Sequence, residues 1–96
     1  MSYFNEIRRW AKQKNILDQG DIKTQYIKLQ EESGELAEAI LTNNKEEIKD
    51  AIGDMVVVLT SLSYFGGFKI EDAIELAYNE IKNREGKIIN NTFVKN

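Results

Sequence analysis

From residue 3 to residue 64, apolar residues recur every three or four positions, the period of helices that bury one face. Ser2 can cap a first helix running to about Lys14, with Tyr3, Phe4, Ile7, Trp10 and Ala11 on its apolar side. Asn15 to Gly20 reads as a loop. Asp21 can cap a second helix reaching about Leu41, with Tyr26, Leu29, Ser33, Leu36, Ala37 and Ile40 on one face. Gly34 interrupts that helix at a cost of about 1 kcal/mol relative to alanine, which close helix packing would justify. Asn43-Asn44 makes a tight connection. Asn44 and Glu47 form a variant capping box for a third helix to about Tyr64.

Ile48, Ala51, Ile52, Met55, Leu59 and Leu62 form the buried face of this third helix, and Val56, Val57 and Val58 widen it. Three valines favour a strand by propensity, but the helical period around them runs much longer and outweighs them. Gly66-Gly67 ends the helix. A fourth runs from near Ile70 to about Arg84, with Glu71 and Asp72 in its first turn, where negative charge suits the helix dipole. Gly86 breaks it. Lys87 to Asn96 is then an extended or hairpin-like tail, with Ile88, Ile89, Phe93 and Val94 available to dock. The reading is all-α: an antiparallel four-helix bundle with a short extended C-terminal tail, one domain over residues 1–96.

Composition narrows the chemistry. A net charge of −3 gives no general pull towards nucleic acid or an anionic membrane, and neither is expected as a partner. The longest apolar run, Met55 to Leu59, is far too short for a bilayer. Met1 leads straight into Glu6, Arg8 and Arg9 with no secretory pattern, so a cytoplasmic protein is expected. Asn90-Asn91-Thr92 matches a glycosylation sequon, which carries no weight without export. The chain has no cysteine and no histidine, which removes thiol chemistry, disulfides and soft metal ligands. Its small size and the broad apolar face of the third helix favour a homodimer or homotetramer.

Charge is unevenly placed. Residues 31 to 54 hold eight of the sixteen acids against Lys45 and Lys49. Gln25, Lys28, Glu32 and Glu35 form one column beside the apolar face of the second helix; Glu47, Asp50 and Asp54 form another on the third. Like charges at this spacing destabilise a bare helix by a few tenths of a kcal/mol per pair, so two facing columns call for a cation. With carboxylates as the only strong donors, that cation is Mg²⁺, or Mn²⁺, and phosphate chemistry follows. Glu38 and Glu46 read as solvated surface, and Glu47 has its own use as a cap. Glu31 points away from the apolar face, either as plain surface or as an outer ligand. Lys82 and Arg84 suit the end of the last helix, and Asn79 and Asn83 add amide groups on one face. Trp10 is either core or a platform for a base.

Lys28-Leu29-Gln30-Glu31-Glu32-Ser33-Gly34-Glu35-Leu36-Ala37-Glu38-Ala39, followed by Gly53-Asp54 and an apolar run, resembles the MazG-type nucleotide pyrophosphohydrolases. These belong to the all-α NTP pyrophosphohydrolase superfamily, which also holds dimeric dUTPases. The family pattern is Glu-Glu-x-x-Glu, a spacer, then Glu-x-x-Asp. Glu31-Glu32-Ser33-Gly34-Glu35 matches the first half in full. In the second half Ala51 stands three before Asp54, where the family has glutamate; Asp50, four before, is read as its replacement. The alternative, Glu47-Ile48-Lys49-Asp50, lacks the Gly-Asp lead-in.

The resemblance implies Mg²⁺-dependent hydrolysis of (deoxy)nucleoside triphosphates to monophosphate and pyrophosphate, as in nucleotide-pool cleansing. It implies Glu32, Glu35, Asp50 and Asp54 as metal ligands, with Glu31 beside Glu32 and Glu35 as a catalytic candidate that positions or deprotonates water. Lys28, Lys82 and Arg84 would meet phosphates; Trp10, Gln25, Asn79 and Asn83 would face the sugar or base. It also implies dimers or tetramers with sites near subunit contacts. Two other readings stand beside it: a non-catalytic helical interaction module, and a nucleotide-binding regulator without turnover.

Overall fold

The computed structural model describes residues 2–96; Met1, the first residue of the expected domain, lies outside them. Three of the expected caps set the helix starts. The Ser2 hydroxyl accepts from the Phe4 N–H, opening α1 (Tyr3–Gln13). Asp21 accepts from Thr24 at 2.7 Å, opening α3 (Ile22–Leu41), and Asn44 accepts from Glu47 at 3.1 Å, opening α4 (Lys45–Phe65). Between α1 and α3 the expected loop instead holds a single helical turn, α2 (Ile16–Gln19), entered through Asn15 in the left-handed region. Its Leu17 is buried, which explains why this stretch winds up instead of running free. The last helix, α5 (Ile70–Ile81), ends earlier than Arg84.

The tail is a β-hairpin: β1 (Gly86–Ile89) pairs antiparallel with β2 (Thr92–Lys95) around Asn90-Asn91. Both turn asparagines have positive φ, which a two-residue primed turn requires and asparagine tolerates. All eight strand residues are exposed, so Ile88, Ile89, Phe93 and Val94 are not docked into a core.

α3 and α4, joined across Thr42 to Asn44, form the most extensive packing in the chain, a helical hairpin. α1 and α2 lean on α4, and α5 meets only α4 among the described helices with any extent of contact. The Arg8 guanidinium on α1 spans the gap to α5, donating to both Glu71 oxygens at 2.7 Å. The described residues are thus largely helical, built on a two-helix hairpin with flanking helices, and an even bundle of four is not what this packing describes. A Cα radius of gyration of 15.8 Å, against about 12.5 Å for a compact chain of this length, says the same.

The core is correspondingly thin. Ala11, Leu17, Ala39, Ala51, Val58 and Ile70 are its buried apolar residues, most of them small. Leu29, Leu36, Ile48, Met55, Leu59 and Leu62 are half-buried as the helical period predicts. Tyr26, Ala37, Ile40 and Ile52, expected on buried faces, are exposed.

Gly34 also departs from expectation. A Cβ built there meets nothing within 4 Å, so close helix packing within this chain does not account for the glycine. Its backbone is not in the positive-φ region. Gly34→Ala should therefore raise the stability of the isolated chain by about 0.5–1 kcal/mol, through the smaller entropy of the unfolded state. Urea denaturation checks this; a loss of stability would mean that another surface approaches Gly34.

Candidate metal centre and adjoining cavity

The register of the α3–α4 hairpin builds the site. The helices run in opposite senses, so positions that face one another have nearly constant summed number: Glu32 lies across from Asp54, and Glu35 across from Ala51 and Asp50. The result is a cluster in which one carboxylate oxygen each from Glu32, Glu35 and Asp54 lies within 4.8 Å of the others. The three differ in exposure. Glu32 is buried, at 7 % of its free surface; Asp54 is half-buried and Glu35 exposed.

Glu32 is the informative member. Its Oε1 lies 3.5 Å from the Lys28 ammonium, which also sits 3.4 Å from Glu31 Oε2. Its Oε2 is buried with no hydrogen-bond partner among the described residues. A buried carboxylate oxygen without a partner costs free energy that one cation at this point would offset. Proton affinities show the same strain. The Glu35 carboxyl is raised above its usual value, first because Glu32 stands ready to accept a hydrogen bond from its protonated form, then by the Glu32 charge. Burial raises Asp54 first, followed by the charges of Asp50 and Glu32.

Beside an open recess that Asp54 shares with Tyr3, Glu6, Ile7, Trp10 and Val57, two further recesses meet at this cluster. The first, about 340 Å³, is lined by Trp10, Ile16, Thr24, Gln25, Lys28, Glu32, Asp54, Val57, Val58 and Ser61. It runs from the carboxylates along the α3–α4 groove towards α1 and α2. The smaller is acidic, lined by Glu35, Glu38, Glu47, Asp50 and Ala51. The structure therefore brings Trp10, Gln25, Lys28, Glu32 and Asp54 to one cavity with Glu35 at its edge. Asp50 lies in the neighbouring recess beside Glu47, outside the three-carboxylate group but near enough to raise Asp54. Glu31 is exposed beside Lys28 and lines neither recess. Asn79, Lys82, Asn83 and Arg84, at the end of α5, are exposed and line neither recess.

Thr24, Ser61 and Ile16 were not singled out in the sequence. Ile16 depends on the unexpected α2. Ser61 carries a signal in hindsight, since it stands seven residues, two helical turns, beyond Asp54.

Set against known proteins, residues 21–89 match the model of the MazG nucleotide pyrophosphohydrolase domain. The match covers the α3–α4 hairpin, α5 and β1 and leaves out α1 with Trp10. A protein of Haemophilus phage HP1, described as an uncharacterized 18.2 kDa protein in the rep-hol intergenic region, is 40% identical over 57 residues. That stretch covers 59% of this chain and 35% of the phage protein. No solved structure matches the chain.

The raised carboxyls set a pH test. Glu35 and Asp54 hold protons more tightly folded than unfolded, so acidification favours the folded state between their ordinary values of 4.5 and 3.8 and the raised ones. Above the raised values the penalty is complete. Glu71 runs oppositely: its Arg8 hydrogen bond lowers it to about 2, giving stability present above 4.5 and lost as pH falls towards that value. In chelator, Asp54→Asn should therefore melt above the unsubstituted protein at pH 7, with the difference shrinking towards pH 4. A difference that stays constant with pH would show that Asp54 carries no such strain.

Proposed function

The chain belongs to the MazG nucleotide pyrophosphohydrolase family, and from that premise we propose that it hydrolyses (deoxy)nucleoside triphosphates to monophosphate and pyrophosphate. The observation that supports this most is the cluster of Glu32, Glu35 and Asp54 in which Glu32 Oε2 is buried with no hydrogen-bond partner among the described residues. An all-oxygen donor set with one oxygen already desolvated fits Mg²⁺ or Mn²⁺. Glu32, Glu35 and Asp54 would hold it, with Asp50 in reach as a fourth ligand or as holder of a second ion. When bound, the ion supplies positive charge for phosphate oxygens and makes an attacking water more acidic.

The protein's own groups divide the remaining work. Lys28, beside the cluster and at the cavity wall, would neutralise a phosphate and keep the chain's acids from repelling it. Glu31, exposed next to Lys28, would position the attacking water or take its proton. Water adds at one of the two phosphorus atoms and the bond from that phosphorus to the bridging oxygen breaks, so that pyrophosphate leaves with this oxygen on attack at the α-phosphorus, or the monophosphate leaves with it on attack at the β-phosphorus. Trp10 and Gln25 line the cavity where the nucleoside would lie.

A homodimer or homotetramer belongs to the same reading. The exposed apolar side chains of α3, α5 and the hairpin offer an area for self-association that the thin core does not use. Assembly would also give Asn79, Lys82, Asn83 and Arg84 a use at a neighbour's triphosphate, because they line neither recess of their own chain. Further helices from a partner would complete a bundle around α3 and α4. Cleansing of the nucleotide pool in the cytoplasm is the role this chemistry suits.

Glu35→Gln or Asp54→Asn should lower pyrophosphate release by more than about 100-fold while leaving the fold intact. Activity lost only together with the circular-dichroism signature of helix would argue for a structural role. Mg²⁺ should raise Tm because it binds the folded cluster and hardly binds the unfolded chain. Differential scanning calorimetry checks this: an unchanged Tm at tens of millimolar Mg²⁺, with and without nucleotide, would overturn the site. A screen of all common (d)NTPs for Mg²⁺-dependent pyrophosphate release tests the activity itself.

A further inference from the structure

Three hydroxyls are buried side by side on α4, and they do not behave alike. Thr60 donates to the Val56 carbonyl at 2.7 Å and Ser63 to the Leu59 carbonyl at 2.8 Å, the usual way a buried helical hydroxyl is satisfied. Ser61, at 3 % of its free surface, makes no such bond among the described residues. It lines the 340 Å³ cavity. Gln25 lines the same cavity, and its amide also has no hydrogen bond among the described residues.

The hairpin register places these two opposite each other, as it places Glu32 opposite Asp54. Gln25 and Ser61 each stand seven residues from their acidic counterpart, two turns or roughly 10.5 Å along each helix. Carboxylates thus lie at one end of the groove and two uncommitted, uncharged polar groups at the other, with Lys28 and Val58 between. Trp10, Ile16 and Val57 give the cavity apolar walls. A ligand that is anionic at one end and planar, apolar-faced and hydrogen-bonding at the other fills such a groove.

Resting on the proposed hydrolase reading, we propose that Ser61, facing Gln25, is a specificity-determining residue that reads the hydrogen-bonding edge of the nucleobase. A hydroxyl can donate or accept and an amide does both, so the pair can distinguish bases by edge while the carboxylate end treats all triphosphates alike. The two turns of separation from the carboxylates put Ser61 at the base and beyond the sugar.

The test compares the unsubstituted protein with Ser61→Ala, a change that removes one oxygen and puts a better helix former inside α4. Two readouts are taken for the four common bases in ribo and deoxy forms: kcat/KM on triphosphates with Mg²⁺, and equilibrium binding of the monophosphates by calorimetry. Ser61→Ala should reduce the discrimination between best and worst base by about tenfold in both, leaving the ribose-to-deoxyribose ratio and the Mg²⁺-induced rise in Tm unchanged. Unchanged base discrimination, or a change confined to the sugar ratio, would overturn the assignment. Absence of turnover in the unsubstituted protein would sink the hydrolase reading alone, since base-selective monophosphate binding would still judge Ser61. No base-selective binding by the unsubstituted protein would overturn the Ser61 proposal itself.

Discussion

Everything at the site depends on holding Glu32, Glu35 and Asp54 with oxygens within 4.8 Å of one another. Their mutual repulsion opposes folding, and only the packing of α3 on α4 keeps them there. The hairpin achieves this with a short connection that fixes register, Asp21 and Asn44 capping its two helices, and small residues such as Ala39 and Ala51 where the helices approach. Lys28 relieves part of the charge but leaves Glu32 Oε2 without a partner. The folded chain without a cation is strained at one point, which is the usual condition of a group organised for binding before its ligand arrives.

The same register that assembles the acids also determines the groove. Because two antiparallel helices repeat their facing positions every two turns, the Glu32–Asp54 level is followed by a Gln25–Ser61 level. Charge at one end and neutral hydrogen-bonding groups at the other follow from one geometric relation. α1 and α2 contribute Trp10 and Ile16 to its walls. The Arg8–Glu71 pair steadies α1 against α5, and its two parallel hydrogen bonds make it more than an ordinary surface contact.

Outside the hairpin the chain is under-packed. α5 and the β-hairpin carry Leu76, Tyr78, Ile81, Ile88 and Phe93 in exposed positions, and a two-stranded hairpin has little stability alone. The basic groups at Lys82, Arg84 and Lys87 stand in this same region. Apolar area and positive charge lie together here, apart from the two recesses beside the acidic cluster.

By itself the sequence determined what is local. The 3.6-residue period located the four long helices, the Ser2, Asp21 and Asn44 caps set where three of them begin, and Glu32 with Glu35 were visible as a pair on one face. A hairpin-like tail after Gly86 was legible as well, although α5 stops at Ile81, before the expected Arg84. These are interactions between residues a few positions apart, and the chain encodes them directly. Tertiary structure decided what depends on facing distances. It buried Glu32 while exposing Glu35, set Asp50 in a separate recess, and left Gly34 in open space. It also wound Asn15 to Gly20 around Leu17, held Lys82 and Arg84 away from both recesses, and made Ser61 a cavity residue. Helical periodicity states which residues share a face. It does not state which residue of another helix stands opposite, and the charge, burial and unused hydrogen bonds of this site all arise from that opposition.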